Sequence, residues 1–172
     1  MNELLHRLFR YKAWANEELL ATLERLGQAP VTTLAIKALS HTYVVDRIFA
    51  AHLRRCEHGY ASTNPDPLPP LKDLAANIRA SDRDYVDYVA TLDRDRLAER
   101  IDFTFTDGSA GRMSREEMLM HVITHGAGHR GQISAVLLLN SATPAVDGLT
   151  TYLHRAEGAT RRRSGSAQMA GA

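Results

Sequence analysis

The chain has one cysteine, Cys56, among its 172 residues. A single thiol forms no internal disulfide, and Cys-based zinc motifs need at least two. It points to a reducing compartment. Long apolar runs are also missing: the longest, Ala135–Leu139, falls far short of the roughly 20 residues that span a bilayer. His6, Arg7, Arg10 and Lys12 break up the N-terminal stretch, which excludes a signal-peptide apolar region. These absences lead us to expect a cytoplasmic protein with no membrane partner. Charge of one sign is lacking too, with 21 Lys and Arg against 20 Asp and Glu. Setting aside Glu157–Ala172, which holds Arg161, Arg162, Arg163 and Glu157, leaves 18 basic and 19 acidic residues. A body so close to neutral argues against nucleic acid as the partner.

The rest of the composition is ordinary. Hydrophobic residues make up 44% and charged residues 24%, as in a soluble globular protein. The length suits one domain able to bury about 70% of its unfolded surface. What stands out is eight histidines.

Helical periodicity dominates. Leu5, Leu8, Ala15, Leu19, Leu23 and Leu26 predict a helix over about 2–26, ended by Gly27 and Pro30. Leu34, Ala38, His41, Val45 and Ile48 predict a second, about 31–57. The four prolines of Gly59–Pro70 demand a loop, one that crosses a bundle end or rims a site. Leu71, Leu74, Ile78, Tyr85, Tyr88 and Leu92 mark a third helix, about 70–93. Ile101, Phe103 and Phe105 alternate with polar residues before Asp107-Gly108, which predicts a short hairpin returning through Ala110–Met113. Ser114 and Glu117 form a capping-box signature for a fourth helix, about 115–140. Thr150–Glu157 reads as a short last helix. The expected fold is therefore all-α: a four-helix bundle over residues 1–157, with a β-hairpin before the fourth long helix. The small, polar tail 158–172 is expected to be disordered.

On the fourth helix, His121 and His129 fall about 40° to either side of His125. Gln132, Met118 and Val136 share their stripe, so the imidazoles should face the bundle interior. His41 sits in the apolar stripe of the second helix. Buried imidazoles need partners, and one metal satisfies several at once. Two histidines at i, i+4 plus one from a facing helix make a three-nitrogen site with an open position for water or substrate. Such a set suits one divalent ion, zinc, nickel, iron or manganese, without choosing among them. Gly126, Gly128 and Gly131 interleave with the histidines; either a loop interrupts the helix here, or small residues clear space for a metal or a neighbouring helix.

The segment HVITHGAGHRGQI, His121–Ile133, resembles the HVxNHxxxHRGQI helix of the DinB family, which includes YfiT-like metal-dependent hydrolases. LSHTYVVDRIF (Leu39–Phe49) is similar to that family's LxHxxxADRxW helix, and YKAWANEELL (Tyr11–Leu20) to its YxxWANxxLL opening. TPAVDGLTTYLH (Thr143–His154) is similar to its P…D…YL close, so the resemblance covers about 1–157. It implies a DinB/YfiT-like four-helix bundle with metal ligands His41, His125 and His129. His121 then lies one turn away and, with Gln132, is a pocket candidate. Two positions depart from the pattern: Thr124 replaces an Asn and Phe49 a Trp. The resemblance further implies a homodimer acting on a small molecule, with hydrolase chemistry or transfer of a low-molecular-weight thiol such as bacillithiol. The alternative is a non-catalytic stress-response module in which a structural metal ties the second and fourth helices together.

Of the remaining motif residues, Trp14 is expected in the core and Asn16 on a helix surface or at a cap. Asp46 should pair with a basic residue rather than bind metal, and Arg130 should face another helix or a partner copy. Cys56, His6, His52, His58 and His154 have no evident role.

Overall fold

Asn2 opens the first helix by accepting a hydrogen bond from the Leu5 amide at 3.1 Å. Helix α1 (Glu3–Leu26) ends at Gly27, whose φ of +59° few other residues adopt. Helix α2 (Pro30–Arg54) starts on a proline in its first turn, where no amide is needed, and stops where Arg55 turns left-handed. After the Pro-rich loop come α3 (Leu71–Ala90) and a short helix the periodicity does not reveal, α4 (Arg94–Ala98), capped by Asp93. Strands β1 (Arg100–Thr104) and β2 (Ala110–Ser114) pair antiparallel as the expected hairpin. The Ser114–Glu117 capping box then launches α5 (Arg115–Leu139). Helix α6 (Leu149–Ala156) and the single turn α7 (Gly158–Arg161) follow. This computed structural model describes residues 2–27, 29–156 and 158–161. Of the tail expected to be disordered, residues 158–161 form this turn, and the rest lies outside the described residues.

The four long helices form the bundle, α2 packing most extensively on α5 and α1 on α3. Their apolar stripes are each broken at mid-length, so the core divides in two. One half gathers Leu5, Phe9, Phe49, Tyr85, Met118 and Val122. The other gathers Leu19, Leu39, Ile78, Ile133 and Leu137. Between them along the helices lie Lys12, Asn16, Asp46, Asp82 and Arg130, all buried. Arg115, also buried, bonds Glu99 at 2.7 Å together with the Leu53 carbonyl and the Tyr88 hydroxyl, which ties the hairpin end to α2 and α3.

The Lys12 ammonium sits 2.7 Å from Asp46 and 2.6 Å from Asp82. Burial works against its charge, but the two carboxylates outweigh that and hold its pKa above the ordinary value. Asn16 donates to Asp82 at 2.8 Å and accepts from Arg130 at 3.3 Å. Arg130 in turn binds Asp147 at 2.7 Å, and Tyr11 donates to the same carboxylate. The layer therefore joins α1, α2, α3, α5 and the segment before α6.

Removing one partner from a buried pair leaves an uncompensated charge, so Lys12→Met should lose about 3–5 kcal/mol of stability in urea unfolding. Neutralising the carboxylates as well, with Asp46→Asn and Asp82→Asn, should recover part of it. A loss below about 1 kcal/mol for Lys12→Met, the range of exposed pairs, contradicts this picture.

Candidate metal centre

Helix pairing carries His41 on α2 to His125 and His129 on α5. The His41 ring centroid lies 5.3 Å from that of His125 and 4.9 Å from that of His129. One nitrogen from each ring can be chosen so that all three lie within 4.8 Å of one another, a group that could hold a metal ion. The Nε2 atoms of His125 and His129 are 3.1 Å apart. Two nitrogens bound at 2.0–2.1 Å around a tetrahedral centre would stand roughly 3.3 Å apart, so the pair fits with little adjustment.

Thr63 in the Pro-rich loop fixes the third ring. Its carbonyl lies 3.1 Å from His41 Nδ1. A carbonyl only accepts, so Nδ1 carries a proton and Nε2 is the nitrogen a metal would take. The loop thus rims the site. Burial, with His129, His121 and His41 nearby, holds the His125 pKa down to about 4. Burial also lowers His129 and His121. Neutral imidazole is the form that binds metal. The Nδ1 atoms of His125 and His129 are buried without a hydrogen-bond partner among the described residues. The residues present fit a divalent ion bound through nitrogen.

His121 stacks on His125 at 5.2 Å and on Phe49 at 4.5 Å. Gln132, exposed on α5, lies beside His129 and counters part of the lowering of its pKa. Both pocket candidates therefore touch the trio. Thr124 does not: it faces solvent and returns its hydroxyl to the Met120 and His121 carbonyls. Asn16 is buried in the polar layer rather than on a surface or at a cap, because Asp82 and Arg130 satisfy its amide. Trp14 is half-buried against Tyr11 and Tyr152, under α6. Asp46 does pair with a base, Lys12.

The glycines have a different role from either expectation. Helix α5 runs through them without a break. A Cβ at Gly126 would meet the Arg130 guanidinium at 3.5 Å and Lys12 Cε at 3.6 Å, ordinary contacts, and one at Gly128 or Gly131 would meet nothing. They clear no essential space.

Three imidazoles facing one another between two helices of a bundle define a class: helical proteins that build a nitrogen-rich metal site between facing helices. The DinB family model matches residues 1–163, and the chain belongs to the DinB family. It is similar to Protein DinB of Bacillus subtilis (strain 168), with 25% identity over 154 residues, 80% of this chain and 86% of that protein. Its fold is similar to that of a DinB-like protein from Bacillus cereus ATCC 10987. There the TM-score is 0.56 and the identity 20%, over 80% of this chain and 91% of the other. Among the described residues no helix is long and apolar enough to cross a membrane.

Because open space surrounds Gly128 and Gly131, replacing either with alanine should raise stability by up to about 1 kcal/mol through helix propensity. Thermal melting of the single variants measures it; a loss of more than about 1 kcal/mol would show a spatial need that the structure does not contain.

Proposed function

We propose that His41, His125 and His129 hold one divalent metal and that the protein is a cytoplasmic enzyme acting on a small molecule, by thiol transfer or hydrolysis. The observation that carries the reading is the convergence of three imidazole rings, with the Thr63 carbonyl on His41 Nδ1 leaving its Nε2 to face the other two. A divalent ion held there supplies Lewis acidity, which brings the pKa of a bound water or thiol toward neutral. His121, whose ring makes no hydrogen bond among the described residues and whose pKa burial lowers, would accept and return a proton beside His125. Gln132, beside His129, would steady that ring. The Phe49 ring shields one face of His121 from water. A homodimer belongs to the same reading: Leu138 and Leu139 lie exposed at the end of α5, an apolar edge that a second copy would cover.

Zinc, nickel, iron and manganese titrations of the metal-stripped protein test the reading, beside His41→Ala, His125→Ala and His129→Ala. Wild type should bind one equivalent, and each variant should weaken it by more than the roughly 10–100-fold lost with an outer partner. Full affinity in all three variants would end it. A purely structural metal would make the three variants melt early, whereas the enzyme reading expects folded variants without turnover in a screen of thiol cosubstrates.

A further inference from the structure

Beside the imidazole trio, and not part of it, a cleft of about 770 Å³ opens between the end of α2, the start of the Pro-rich loop and β1. That size suits a small-molecule ligand. We propose that it binds a small zwitterion carrying a planar ring, an aromatic amino acid in chemical class.

The walls are aromatic. Phe103 lies 4.8 Å from His52, and Tyr60 stacks on His58 at 6.2 Å with the rings 26° apart. The Tyr60 amide donates to His58 Nδ1 at 3.0 Å, which fixes this corner of the loop. Gly111 sets the position of Phe103: the two are paired across the hairpin, and a Cβ on Gly111 would come within 2.5 Å of the ring. Glycine there lets the ring lie over the facing strand at the cleft. Flat faces of this kind favour a planar ring by offset stacking.

The charges decide the rest. Four charged side chains line the cleft, and two are already matched: Arg55 with Glu99 at 2.5 Å, and Asp102 with Arg112 at 3.4 Å. Of the other two, Glu57 makes no side-chain hydrogen bond or ion pair with any described residue, and Arg100 makes none either, though its charge lies near enough to Glu117 to help lower that carboxyl's pKa. One cation and one anion not tied into an ion pair, in a cleft with aromatic walls, match a carboxylate, an ammonium and a ring on one molecule. The inner wall lies one ring from the imidazoles, since Phe103 and His52 sit 6.2 and 6.0 Å from Phe49, which stacks on His121.

Calorimetric titration of the full chain with tryptophan, indole-3-propionate and tryptamine tests this. Tryptophan should bind saturably, and each singly charged analogue should bind about fivefold or more weakly. Arg100→Gln should bring tryptophan down toward the level of tryptamine while leaving tryptamine unchanged; Glu57→Gln should do the mirror image with indole-3-propionate. Phe103→Leu should weaken all three ligands. His125→Ala should change none, so the metal reading can fail while this one stands. Equal binding of the three ligands, no effect of Arg100→Gln, or no saturation below about 10 mM overturns the proposal.

Discussion

The fold turns on a buried lysine. Lys12, 1% exposed, stands between two carboxylates on two other helices, at the level where all four long helices lose their apolar stripe. A charge so deep is tolerable only if its partners are held in place, so α1, α2 and α3 are fixed relative to one another. Arg130 extends the layer to α5 and, through Asp147, to the segment that leads into α6. The apolar halves on either side supply most of the burial, and the layer restricts how the helices can slide against one another.

The imidazole trio depends on the same layer. Successive residues of a helix point about 100° apart. On α5, His125 and His129 therefore meet His41 of α2, while the residues that follow them, Gly126 and Arg130, meet Lys12 and Asn16 of α1. On α2, His41 enters the trio and Asp46 enters the charge layer. The register that pairs the charges is the register that brings the three rings together. Thr63 adds the one contact from outside the bundle, and it also accounts for the Pro-rich loop lying across the site rather than away from it.

Much of this was legible in the sequence. The four long helices, the hairpin and the capping box follow from periodicity and turn chemistry, and their ends fall within a few residues of the expected ones. The stripe of His121, His125 and His129 predicted an inward face, and the helix pairing then brought His41 to it. Other features were not legible. Helix α4 is too short to show periodicity. Asn16 looks like a cap or surface residue until α3 and α5 close on it, because its partners lie 66 and 114 residues away. The glycines of α5 suggested a broken or crowded helix; packing and the capping box hold it straight, and open solvent explains two of them. Arg115 and the cleft beside Phe103 are likewise products of long-range packing that no local pattern announces.

The central claim is that three imidazoles form one metal centre, and X-ray absorption of the zinc-loaded protein tests it most directly. The account predicts a shell of nitrogen and oxygen at about 2.0–2.1 Å, with the outer-shell scattering of three imidazole rings. The signal should lose one ring when His41 is replaced by alanine. A sulfur scatterer near 2.3 Å, or a shell with one imidazole or none, would contradict it.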